Sequence, residues 1–128
     1  VYVLLVDDCL KLVYKLEELI PKIEVSSEED VAMLELARSQ FQSTHFVYMP
    51  PGRKIRPHFH REREEVYVIL SGRARLRLGD EYVEVGEGYF AYVPRGTVHA
   101  AESIGAEPLM LIFVSTPPYD PKRDRYYI

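Results

Sequence analysis

The sequence predicts an all-β fold, a sandwich or barrel, on three observations. From Phe46 onward it runs in short stretches rich in Val, Tyr, Ile and Phe, residues that suit a pleated, half-buried surface. Glycine and proline punctuate those stretches at close intervals. Between two of them, Gly79-Asp80 supplies a two-residue turn whose twist matches that of an antiparallel hairpin.

The elements follow in chain order. In Asp8 to Ile20 the apolar residues Leu12, Leu16, Leu19 and Ile20 recur at spacings of three and four, Asp7 or Asp8 can cap the start, and Pro21 stops the run, so a helix is expected. Ser26, Ser27 and the acids Glu28 to Asp30 resemble another N-cap, but extended chain is favoured from about Leu34. The candidate strands after it are Phe46 to Met49, Ile55 to His60, Glu65 to Leu70, Arg73 to Leu78, Tyr82 to Val85, Tyr89 to Val93, Val98 to Ala101 and Leu109 to Ser115. The turn at 79–80 fixes a register in which Leu78 faces Glu81, Arg77 faces Tyr82, Leu76 faces Val83, Arg75 faces Glu84 and Ala74 faces Val85. That register gives Arg75 an acidic partner and Arg77 an aromatic one, so the Arg73, Arg75, Arg77 stripe reads as a solvated strand face rather than an anion-binding surface. The chain thus divides into an N-terminal extension (1–40), a β-barrel (41–115) and a tail (116–128). The tail holds three prolines and is expected to lie over the barrel, with Tyr126, Tyr127 and Ile128 as anchors.

Bulk composition narrows the function classes. At 128 residues, with 47% hydrophobic and 28% charged, the chain has material for one hydrophobic core. Its formal net charge of −4 offers no general attraction to nucleic acid or anionic membranes, so small molecules are the expected partners. A lone cysteine, Cys9, cannot close an internal disulfide, and the apolar start Val1 to Val6 is broken by Asp7 and Asp8 before it reaches signal-peptide length. A cytoplasmic location is the expectation. Asparagine is absent while Glu, Lys and Arg are plentiful, a bias in the thermophile direction.

The chemistry gathers around His58 and His60. Two residues apart on a strand, they point to the same face, with Phe59 on the other. Glu65 follows across a short turn at the start of the next strand, and His99 lies on a distant strand after Pro94-Arg95-Gly96. Three imidazoles and a carboxylate form a mixed nitrogen and oxygen set, suited to one divalent iron, manganese, cobalt, nickel, copper or zinc ion rather than to calcium or magnesium. Glu64 is the rival to Glu65. Alternation groups Glu65 with Tyr67 and Ile69 and puts Glu64 with Val66 and Val68, although a bulge at the turn would exchange the two faces. Tyr67, Ile69 and Arg56 are candidates for lining a substrate pocket, Arg56 against an acidic group, with Pro57 interrupting the alternation there. His45 stands alone in its strand and gives no ligand signal.

These residues carry a resemblance. Gly52, five residues, His58, one, His60, four, Glu65, six and Gly72 resembles the first motif of the cupin superfamily throughout its length. Gly88, five residues, Pro94, one, Gly96, two and His99 resembles the second, with fifteen residues between the motifs. The second motif often continues to an Asn where this chain has Ser103, a change that touches turn closure more than ligation. The resemblance covers about residues 52–103. It implies a small single-domain cupin, a double-stranded β-helix or jelly-roll barrel holding metal with His58, His60, Glu65 and His99, while the N-terminal forty residues lie outside it and are expected to add a short helical extension and an extra strand. It favours Glu65 over Glu64, and it implies a homodimer. Its implied activities are a metal-dependent small-molecule enzyme such as a dioxygenase, a sugar-phosphate isomerase, or a non-catalytic binding or sensing module.

Overall fold

Extended segments separated by turns make up most of the chain, and the computed structural model describes residues 2–5, 12–19, 31–120 and 122–128. The strands are β1 (Tyr2–Leu5), β2 (Ala32–Arg38), β3 (Ser43–Met49), β4 (Lys54–Phe59), β5 (Glu64–Ser71), β6 (Arg73–Leu78), β7 (Glu81–Gly86), β8 (Phe90–Val93), β9 (His99–Ser103), β10 (Leu109–Thr116) and β11 (Tyr126–Tyr127). They form two sheets, ordered β1-β2-β3-β10-β5-β8 and β11-β4-β9-β6-β7. Every pairing is antiparallel except that of β1 with β2. The fold is therefore the all-β, two-sheet barrel expected from the strand pattern.

The hairpin β6–β7 has the register that its turn dictates, from Leu78 opposite Glu81 to Ala74 opposite Val85. Its outward arginines are paired, Arg73 with Glu84 at 3.0 Å and Arg75 with both Glu84 and Glu102 at 3.8 and 3.9 Å. Arg77 lies 6.0 Å from the Tyr82 ring. The stripe is a solvated strand face whose Arg73 and Arg75 are paired with acids.

Burial alternates along β10, and its inward residues Leu109, Leu111 and Phe113 meet Met33, Val47, Met49 and Ile69 from the same sheet and Leu76, Val85 and Ala101 from the other. This is the main core, where two apolar faces exclude water from each other. On the outer side, Leu34 and Phe46 are covered by Leu19 with Tyr14 and Leu16 nearby, so β2 and β3 are buried on both faces.

The N-terminal expectations need correction. In the described part of the expected helix 8–20, residues 12–15 have no regular structure and only Leu16–Glu18 make a 3-10 turn. Packing of Leu19 on the outer sheet outweighs the helical spacing there, because docking needs only one turn to present that side chain. The remainder of that span and the cap signal at 26–30 lie outside the described residues. The strand expected from about Leu34 begins two residues earlier, at Ala32. Among the described residues no helix is long and apolar enough to cross a membrane.

Gly72 joins β5 to β6 at φ 82°, and a Cβ there would collide with the Pro108 carbonyl oxygen and come within 2.8 Å of the Leu109 Cα. Gly79 also has positive φ, but open space surrounds it. Gly79→Ala is expected to cost about 1–2 kcal/mol in urea unfolding, from backbone conformation alone. Gly72→Ala is expected to cost clearly more, since main chain must also move. Equal losses would remove the role assigned to this close approach.

His45 is fully buried on β3, stacked on Phe113 with ring centres 4.5 Å apart and touching Ser43 Oγ at 2.9 Å. Burial lowers its pKa to about 4, against a weaker opposing pull from Glu35. The folded chain thus keeps His45 neutral while the unfolded chain protonates it below about 6.5. Its contribution to stability is complete above that pH and is lost as pH falls toward 4. His45→Leu is expected to lose less unfolding free energy than the parent between pH 7 and pH 5, measured by urea titration; parallel losses would contradict this.

Candidate metal centre

Strand pairing brings the histidines together. In the β4–β9 ladder His58 stands directly opposite His99, and the two ring centres are 4.2 Å apart. His60 follows just beyond β4, its carbonyl accepting the Gly96 amide at 2.6 Å, and its ring centre lies 4.9 Å from each of the other two. Glu65 reaches the same point from the opposite sheet, where β5 sits between β8 and β10. Alternation sends the two rival acids to opposite faces. Glu65 is buried among the imidazoles, whereas Glu64 faces outward and accepts the Tyr92 hydroxyl at 2.6 Å.

Each imidazole is held by its Nδ1 against a main-chain carbonyl: His58 on Arg56 at 2.7 Å, His60 on Asp124 at 2.5 Å and His99 on Thr97 at 2.9 Å. A carbonyl only accepts, so each Nδ1 carries the hydrogen, and in the neutral ring Nε2 keeps a lone pair. The three histidines are all buried, and one ring nitrogen of each lies within 4.8 Å of those of the others. Glu65 Oε1 completes the set at 3.0 Å from His99 Nε2 and 3.1 Å from His60 Nε2.

The donor set fits a divalent cation. A carboxylate oxygen and nitrogen lone pairs converging out of water repel one another unless a proton or a positive ion stands between them. Burial by itself pushes the Glu65 carboxyl up, but its contacts with the His60 and His99 ring nitrogens and the nearby Arg63 guanidinium outweigh it and hold it well below the usual range. Burial, reinforced by His99, lowers His58 to about 3, so that ring stays a neutral donor of its lone pair. Arg63 Nη2 also donates to His60 Nε2 at 3.2 Å, so a metal at that nitrogen takes the place of this hydrogen bond. The carbonyl partners are the outer contacts that commonly orient metal-binding histidines.

Beside the cluster lies a small cavity of about 40 Å³, lined by His58, Glu65 and Tyr67 and otherwise largely by apolar side chains. Tyr67 donates its hydroxyl to Glu65 at 3.2 Å, and burial together with that carboxylate pushes its phenol well up. The other two pocket candidates lie elsewhere. Arg56 is exposed, with its guanidinium 4.1 Å from the centre of the Tyr127 ring. Ile55 takes the inward position, alternation sends Arg56 out, and a register irregularity between Ile55 and His58 returns the histidine to the inside. Ile69 is buried in the main core, two residues and about 7 Å farther along β5 than Tyr67.

Three site residues escaped the sequence reading, two of them in the tail. Asp124, at φ 60°, accepts the amides of Arg61, Glu62 and Arg63 with its carboxylate at 2.6 to 3.1 Å, besides holding His60. Arg125 lines the cavity, and Arg63 is buried within 4.7 Å of the Tyr119 ring centre. Only an aspartate followed by an arginine near the expected tail anchors marked the first two, and nothing local linked them to His60.

Known proteins place the chain. It is 41% identical over 78 residues to an uncharacterised protein of Methanocaldococcus jannaschii, matching 61% of this chain and 62% of that one. A mannose-1-phosphate guanylyltransferase of Salmonella typhimurium is 34% identical over 73 residues, 57% of this chain but 15% of the enzyme. The chain therefore spans under two thirds of the length of either relative. A crystal structure from Thermus thermophilus superposes with a TM-score of 0.73 at 24% identity, covering 84% of this chain and 98% of that one. A family profile described as Cupin domain matches residues 45–115, more than half of the chain and all four residues of the cluster, and on that match the protein belongs to the cupin family.

Proposed function

We propose that this cupin binds one divalent transition-metal ion through His58, His60, His99 and Glu65 and acts on a small molecule in the adjoining cavity, as an oxygenase. The observation that carries the reading is the three Nδ1 contacts to carbonyls, which commit each Nε2 to the interior. When bound, the ion would supply Lewis acidity and, if redox-active, electron transfer to and from dioxygen.

The protein's own groups favour that over isomerisation. Enolising a sugar phosphate needs a side chain that exchanges protons near neutrality. Of the titratable groups on the cavity wall, Glu65 is held down among the histidines, His58 is lowered to about 3 by burial, Tyr67 and Tyr119 are raised, chiefly by burial, and Arg125 stays a cation. None is poised to shuttle a proton. The ring of apolar side chains would exclude water and orient the substrate's carbon skeleton, leaving redox chemistry as the reaction these walls suit.

The reading includes a homodimer in the cytoplasm. Val68 and Phe90, paired across β5 and β8, and Tyr92 beside them leave an exposed apolar strip at a sheet edge, which a second copy would cover. Phe90→Arg is expected to shift the protein from dimer to monomer in light scattering. A monomeric parent would refute the dimer.

Single alanine replacements at His58, His60 and His99 are expected to reduce metal content from about one ion per chain to near zero by elemental analysis of untagged protein. The β-sheet circular dichroism should persist in each. Glu65→Gln is expected to weaken the ion by at least about tenfold. Oxygen uptake with the iron-loaded protein and a panel of small diols and thiols is the activity assay. Oxygen-independent interconversion of phosphorylated sugars would instead establish the isomerase.

A further inference from the structure

The cavity wall carries a cation, Arg125, with no ion-pair partner among the described residues. Arg125 follows the Asp124 clamp and precedes β11, which pairs with β4 through Tyr126 opposite Phe59 and Tyr127 opposite His58. Its backbone is thus fixed on both sides, and its side chain lines the cavity beside His58 and Glu65. Its polar contact is a long one, Nη1 to the Tyr127 hydroxyl at 3.4 Å, and its guanidinium carbon is 6.0 Å from the Tyr119 ring centre. Among the described residues no carboxylate lies within ion-pair distance of it.

Arg63 adds to the imbalance from behind Tyr119. It is 3% exposed, it too has no carboxylate partner among the described residues, and its Nε and Nη1 have no hydrogen-bond acceptor. Two guanidinium groups therefore flank a cavity whose wall carries one carboxylate, Glu65, the Asp124 carboxylate being taken up by the 61–63 amides, and a divalent ion would raise the excess further. A half-buried site with surplus positive charge is completed by an anion. The remaining lining, including Met33, Ile55, Leu111 and Phe113, is hydrocarbon apart from the hydroxyls of Tyr67, which is donated to Glu65, and Tyr119.

From this juxtaposition we infer that Arg125 is the binding residue for the carboxylate of a small organic acid whose body is apolar, held with that body against the hydrocarbon wall and beside the histidine cluster. A planar guanidinium fork suits a carboxylate, and the wall suits an alkyl or aryl chain better than a polyhydroxylated one. The inference rests on the cavity being the substrate site proposed above, but its test does not require the metal.

The test is calorimetric titration of the purified protein with pentanoate, with pentanamide as the neutral isostere and with inorganic phosphate as an anion lacking an apolar body. Each sample's metal content is measured alongside. The expected result is that pentanoate binds more tightly than either alternative, and that Arg125→Met weakens pentanoate by about ten- to a hundredfold while leaving pentanamide and the metal content unchanged. Arg125→Lys should restore part of the preference, and matching thermal melts show that the variants fold. Equal affinity for acid and amide, preference for phosphate, undiminished pentanoate binding by Arg125→Met, or no binding of pentanoate at millimolar concentration each overturns the proposal. Absence of metal from protein that still shows the Arg125-dependent preference would instead refute the metal centre and leave the acid site standing.

Discussion

An imidazole taken out of water has two ring nitrogens to satisfy, and here one constraint governs three of them at once: each Nδ1 faces a main-chain carbonyl. Two of those carbonyls lie two residues before their histidine, on Arg56 and Thr97, so local backbone shape sets the ring. The third comes from Asp124, sixty-four positions away. With all three rings held, the opposite nitrogens have one direction left, and the ladder between β4 and β9 makes that direction common to His58 and His99. The arrangement exists because two sheets close on each other, and Glu65 is the contribution of the facing sheet.

Charge follows from that closure. One carboxylate stands among three imidazoles, with Arg63 behind them and Arg125 at the cavity wall. With each Nδ1 committed to a carbonyl, the acid's charge is left to be met by hydrogen bonds, guanidinium groups or an ion. Tyr67 serves the same carboxylate from a third side. The interior thus combines a polar focus with hydrocarbon surroundings, a combination that strengthens every electrostatic contact within it.

Much of this was legible in the residues. The two-residue turn at Gly79-Asp80 set the β6–β7 register pair by pair, because a hairpin loop of that length leaves no freedom to slip. Strict alternation from Glu64 through Val68 separated an inward Glu65 from an outward Glu64. Spacing failed where the backbone departs from a regular strand: the irregularity at Arg56-Pro57 displaced Arg56 from the cavity, and depth along β5 carried Ile69 into the core. The helical pattern before Pro21 yielded, in its described part, to docking of Leu19 on the outer sheet. Asp124 and Arg125 were invisible for a different reason. Their partners lie some sixty residues upstream, and a proline-rich tail carries no periodicity from which to read a face.

The clamp formed by Asp124 ties two properties together that are usually separable. Its carboxylate gathers the 61–63 amides while its carbonyl steadies His60, and the next residue reaches the cavity. An ion held through His60 would be linked to the ordering of the 122–128 strap, with one coupling free energy read from either side. The strap is in that sense a gauge of the interior, and a molecule that grips its outward tyrosines from solvent would alter affinity at a point it never touches.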